Sequence, residues 1–167
     1  MNPILQKAEQ ATFENLNPPQ LRPVVDQLVA AGKKVMYSPE TRDMMIKQLS
    51  GDGDAAENIG SGVAKLVGIL LNQSKGTAPM QALIPASTLL LCEGLQFLED
   101  AGRLKVDMRL FEDCMQATAS SILQMLGVTP EKLQSIMGGG TGARGDGAEQ
   151  SGRPAPGGII SGAMGGV

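Results

Sequence analysis

Three carboxylates close together, Asp52, Asp54 and Glu57, are the chain's nearest approach to a metal loop. A calcium loop needs oxygen donors at regular offsets, a glycine at its sharp turn and a closing glutamate. Ala55 and Ala56 occupy ligand-bearing ground, and nothing matches the closing position. The expectation is instead a capped helix with acidic residues in its favourable first turn. The pairs Glu99-Asp100 and Glu112-Asp113 do not converge either, because adjacent residues on a helix point about 100° apart. A di-metal bundle would need Glu-x-x-His, and the chain has no histidine.

That absence removes the commonest general base and the usual near-neutral pH switch. Cys92 and Cys114 lie among Leu and Met neighbours with no basic cluster beside them, so buried, inert thiols are expected. Gly138-Gly139-Gly140-Thr141-Gly142 lacks the Gly-Lys-Ser/Thr ending of a phosphate loop and any strand before it. Arg144-Gly145-Asp146 is an integrin-type triplet of the sort that glycine-rich tails produce by chance. These residues point to no catalytic residue, no metal and no cofactor, and to a protein that is not an enzyme.

The elements that would position any site are helices. Of 22 glycines in 167 residues, 12 fall between Gly138 and Val167. That stretch has no hydrophobic period and cannot bury enough apolar surface to offset its ordering entropy. Residues 1–137 are therefore read as a helical domain and residues 138–167 as a disordered glycine-rich tail. The fold class is all-α, an irregular bundle of about six to seven helices.

Asn2-Pro3 reads as an N-cap followed by proline at the first helical position, with Ile4, Leu5, Ala8, Thr12 and Leu16 along one side. Asn17-Pro18-Pro19 ends that helix. A second carries Leu21, Val24, Val25, Leu28 and Val29, with Pro23 tolerable in its first turn and Gly32 either ending it or inside it. Ser38-Pro39-Glu40 starts a third, with Met45, Ile46 and Leu49, stopping at Gly51. Asp52 and Asp54 lead a fourth, with Ile59, Val63, Leu66, Val67 and Leu70. Gly60, Ala64 and Gly68 lie four apart beside that apolar face. They are the candidate protein-contact residues, since small side chains let another backbone approach closely; the alternative is a weakly helical surface stripe.

A fifth helix runs from about Pro79 to Ala101, kinked near Pro85 and closed by Gly102. Leu83, Ile84, Leu90, Leu91, Leu95 and Leu98 should be buried in it, the most central helix. Its uncharged part, Gly76 to Cys92, is too short and too polar for a membrane span. Asp107 opens a sixth, with Leu110, Phe111, Cys114, Met115, Thr118, Ile122, Met125 and Leu126 facing inward and Gly127 closing it. Thr129-Pro130-Glu131 starts a last one through Leu133, Ile136 and Met137.

A net charge of −3, with no basic run longer than Lys33-Lys34, argues against nucleic acid, whose phosphates call for a concentrated basic face. Three Phe, one Tyr and no Trp leave little to stack on bases. Ten methionines suit an irregular core, and also adaptable protein surfaces; core filling is the expected use of most. Nothing in Met1 to Leu16 resembles a signal peptide, so a cytoplasmic site is expected.

Four segments, "SPETRDMMIKQL", "AENIGSGVAKLVGILLNQSKG", "MQALIPASTLLLCEGLQFLEDAG" and "QMLGVTPEKLQSIM", precede a Gly/Ala/Met tail. In texture the chain resembles small helical proteins encoded among tailed-bacteriophage structural genes, over roughly residues 38–137. The resemblance implies a minor virion-associated, assembly or ejection-type component, located in the host cytoplasm or the virion. Its partners would be other protein subunits, through self-association or virion proteins. An adaptor or inhibitor of a host or phage protein and a membrane-active helical protein are the alternatives.

Overall fold

Local capping chemistry places three of the six helix starts among the described residues. In the structure, a computed structural model describing residues 1–129, 131 and 132, α1 spans Pro3–Glu14. The Asn2 side chain accepts from the Ile4 backbone N–H at 3.0 Å, and Pro3 takes the first position, where a missing N–H costs nothing. A 3-10 turn, Pro19–Leu21, leads into α2 (Arg22–Tyr37), which holds Pro23 in its first turn. Gly32 sits inside α2, buried, because a Cβ there would lie 2.3 Å from a Leu90 methyl.

The third helix begins later than its sequence signal. Ser38 belongs to the end of α2, its N–H bonding the Lys34 carbonyl at 3.1 Å. Pro39 and Glu40 form a turn, and the Thr41 hydroxyl reaches back to the Val35 carbonyl. α3 then spans Arg42–Leu49 and buries Met45 and Leu49. α4 (Ala55–Gln73) is capped by Asp54, which accepts from the Glu57 N–H at 3.0 Å.

α5 (Met80–Asp100) runs continuously through Pro85. The proline lies near the helix start, where its missing N–H would have bonded the Gln81 carbonyl. Ser87 Oγ and Thr88 Oγ1 both donate to the Ile84 carbonyl, at 2.7 and 3.2 Å. The helix closes at Gly102, in the left-handed region at φ 67°, with the Arg103 N–H on the Leu98 carbonyl at 2.9 Å. α6 (Met108–Met125) is capped by Asp107, which accepts from the Leu110 N–H at 2.8 Å.

These six helices belong to one compact unit, Met1–Gly127, and the described residues contain no strand. The fold class is all-α. Val128–Val167 forms a second unit, of which residues 128, 129, 131 and 132 are described; there Thr129 Oγ1 accepts from the Lys132 N–H at 3.3 Å. The expected glycine-rich tail, the phosphate-loop lookalike, the Arg-Gly-Asp triplet and the Leu133, Ile136 and Met137 stripe lie outside the described residues.

α5 is the central helix. α1, α2 and α4 pack on it, α3 leans on α4, and α6 docks chiefly on α4 with only a light touch on α5. Leu83, Leu90, Leu91, Leu95 and Leu98 are all buried, among Leu5, Val25, Met36, Leu49, Ile59 and Val63. The light touch of α6 overturns one expectation. Ile84 is 71% exposed, because the side of α5 that carries it has no helix fully across it. Met125 is likewise exposed; on α6 Cys114, Thr118 and Ile122 are buried, and Leu110, Phe111 and Met115 pack half-buried against the core. Among the described residues methionine serves the surface more than the core: Met36 and Met45 are buried and Met115 is half-buried, whereas Met1, Met44, Met80, Met108 and Met125 are exposed.

Candidate functional site

The carboxylates singled out from the sequence have structural uses. Asp54 caps α4, and the Asn58 amide donates to the carbonyls of Gly51 at 2.8 Å and Asp52 at 3.3 Å, shaping the loop before it. Among the described residues no three His, Cys, Asp or Glu side chains gather as metal ligands would. Glu99 ties the chain's start to the far end of α5. It accepts from the Asn2 amide at 3.2 and 3.1 Å and from the Val106 N–H at 3.1 Å, while the Asn2 N–H donates to Gln96 Oε1 at 2.9 Å. Asp100 accepts from Gln96 Nε2 at 2.7 Å. Glu112 and Asp113 are exposed.

Both thiols are fully buried and far from nucleophilic. Burial pushes Cys92 up to about 12, with Glu9 and Glu93 adding to it. Burial also lifts Cys114 to about 12, helped by Asp113 and Asp54. The Tyr37 phenol is raised to about 12 by burial, then by Glu93 and Asp100. The unfolded chain gives up these protons near the ordinary values of 9.0 and 10.0, the folded chain only near 12. Their contribution to stability is therefore complete below pH 9 and is lost as pH rises toward 12. Denaturant midpoints should hold steady up to about pH 9 and fall from there toward pH 12, and a thiol reagent at pH 8 should label neither cysteine until the protein unfolds. Rapid labelling of the native protein would mean that the core around α5 and α6 opens readily.

One polar cluster escaped the sequence reading. Glu93, 7% exposed on the central helix, is ion-paired with Lys33 of α2 and accepts from the Tyr37 hydroxyl at 3.5 Å. The Tyr37 ring stands edge-on to Phe97, centroids 5.2 Å apart. Glu9 of α1 feels the same carboxylate: burial raises its pKa first, Glu93 adds to this, and Lys33 opposes it. The ion pair and the hydroxyl link α2 to α5 at a buried carboxylate. The sequence signal was a lone acid inside the apolar run Leu89–Leu95. Its partner lies sixty positions away, where no periodicity could find it.

The small-residue stripe faces α6. A Cβ on Gly60 would lie 2.6 Å from the Ala117 Cβ and 2.7 Å from the Ala117 carbonyl carbon and the Thr118 nitrogen. Ala64 is 4% exposed, and at Gly68 an added Cβ would meet the Met125 sulfur at 2.7 Å. The close approach is thus made within the chain, between α4 and α6.

Docking α6 so tightly on α4 leaves a hollow of about 240 Å³ between α5 and α6. Its walls include Ile84 and Thr88 from α5 and Met115, Ala119, Ile122 and Leu123 from α6. Thr118 also lines it, with a buried hydroxyl oxygen that has no hydrogen-bond partner among the described residues. A larger, open groove of about 630 Å³ follows the other side of the α4–α6 contact. Asp54, Glu57 and Asp113 rim it, and no lysine or arginine among the described residues does. The hollow is lined chiefly by apolar side chains. The chain matches no family model, and neither curated proteins nor solved structures give a match.

Proposed function

We propose that this protein is a non-enzymatic structural or assembly component that works through helix–helix contacts with other protein subunits. Following the textural resemblance of residues 38–137, we place it as a minor virion or ejection-type component of a tailed bacteriophage. The observation that carries the reading is the apolar hollow lined in part by Ile84, which at 71% exposed is the most open of the exposed large hydrophobic side chains among the described residues. Interface cores are depleted of charge and enriched in methionine. Met80 stands exposed one turn before Ile84, and Met115 lines the hollow.

The membrane alternative meets an energetic obstacle. Met80–Asp100 is long and apolar enough to cross a bilayer, with a mean hydropathy of 1.2, yet 72% of its most apolar window is buried inside the bundle. Insertion would have to dismantle the core that those residues build. A protein partner can use Ile84 and the hollow without disturbing it.

A photo-crosslinking residue placed at position 84, in the intact chain and in the cells that make it, tests this directly. The expected product is a discrete protein adduct, with none from the exposed position 26 on α2. Adducts with lipid alone, or equal labelling from both positions, would contradict the reading.

A further inference from the structure

The hydroxyls of Ser87, Thr88 and Thr118 belong to the lining of the α5–α6 hollow. Two of the three have already given up their protons. Ser87 Oγ and Thr88 Oγ1 both donate to the Ile84 carbonyl, at 2.7 and 3.2 Å. Thr118 is 4% exposed, and its hydroxyl has no hydrogen-bond partner among the described residues. A helical threonine can turn its hydroxyl onto a carbonyl of the preceding turn; this one does not. A buried donor left unmatched costs stability, and a molecule that brings an acceptor to it recovers that cost.

The rest of the lining sets the size and polarity of such a molecule. Ile84, Met115, Ala119, Ile122 and Leu123 are apolar, and no charged side chain takes part. A charged ligand would shed its water with no opposite charge to receive it. The hollow measures about 240 Å³. An apolar cavity of about 150 Å³ takes up benzene, so this one has room for about ten non-hydrogen atoms. Ile84 and Ala119 are exposed, so a ligand can enter past them without unfolding the bundle.

We propose that the α5–α6 hollow binds a small uncharged molecule, an apolar body of about ten non-hydrogen atoms carrying one acceptor oxygen. Thr118 Oγ1–H donates to that oxygen, and the hydrocarbon body packs against Met115, Ile122 and Leu123. The site goes beyond the assembly role and does not rest on it. Crosslinking at position 84 tests that role, ligand titration of the purified chain tests the site, and either can fail alone.

Amide NMR of the full chain titrated with acetophenone, a ketone of this size, is the test. Shifts should saturate around Thr88, Thr118 and Ala119, with a Kd of about a millimolar or tighter. Thr118→Val keeps the side-chain shape and removes the donor. It should weaken acetophenone binding about fivefold and leave ethylbenzene, a hydrocarbon of similar shape without the oxygen, bound at least as well. Thr118→Ser keeps the donor and should retain the preference for the ketone. Ala119→Phe, at an exposed position, fills the hollow and should abolish saturable binding of both probes. Wild-type shifts that never saturate overturn the proposal, as does binding that survives Ala119→Phe. Equal effects of Thr118→Val on the ketone and the hydrocarbon would overturn it too, since Thr118 would then read no acceptor.

Discussion

Leu91→Asp should leave no folded protein. Leu91 is fully buried in the middle of the central helix. Losing a core leucine side chain costs about 2–5 kcal/mol through transfer and cavity terms. The carboxyl that replaces it adds a desolvation penalty whether it is neutral or ionised. Lys33, on the helix packed against α5, is already committed to Glu93. Together these approach the roughly 5–15 kcal/mol by which a domain is stable at all. Circular dichroism and one-dimensional proton NMR of the variant in lipid-free buffer should show an unfolded or aggregated chain. Ile84→Asp, one turn into the same helix but 71% exposed, should fold normally. A Leu91→Asp protein that stays folded and monomeric yet loses liposome binding would make α5 a lipid-seeking element.

Gly60→Leu should undock α6 from α4. The atoms a Cβ would meet at Gly60 belong to the α6 backbone and to the Cβ of Ala117, and neither can swing aside. The helices must separate, which exposes the most extensive contact in the bundle. Even Gly60→Ala should lower stability by about 1–3 kcal/mol through overpacking, outweighing the roughly 1 kcal/mol that leaving glycine returns to the helix. At roughly 4 °C per kcal/mol for a domain of this size, the fall is easily seen in thermal unfolding. Gly68 is different in kind, although the three residues form one stripe. Its obstacle is the thioether of Met125, the flexible end of an exposed side chain, so Gly68→Ala should be near neutral or stabilising. Equal losses at the two positions would mean that α6 does not lie on α4 as described.

The contrast between Gly60 and Gly68 shows where sequence reasoning stops. Spacing alone placed both on one helical stripe; whether backbone or a movable side chain lies opposite depends on the partner helix. Helix starts at Asn2, Asp54 and Asp107 were legible because a cap is local chemistry, written within three or four residues. Ser38-Pro39 was misleading for a related reason. A serine that suits an N-cap also suits the end of the preceding helix, and tertiary packing assigned it there. Leu83, Leu90, Leu91, Leu95 and Leu98 were legible as core, since only a central helix tolerates so many leucines. Ile84 was not, because its exposure follows from α6 docking on α4. The Lys33–Glu93 pair joins residues too far apart in sequence for any local pattern to reveal.

Quantitative mass spectrometry of particles purified from the cells that produce this chain tests the assembly role most directly. The expected result is a fixed copy number per particle, which survives salt washing and is reduced in particles made with the Ile84→Lys variant. A chain that is absent from finished particles and from every assembly intermediate, and remains in the soluble fraction, would contradict it.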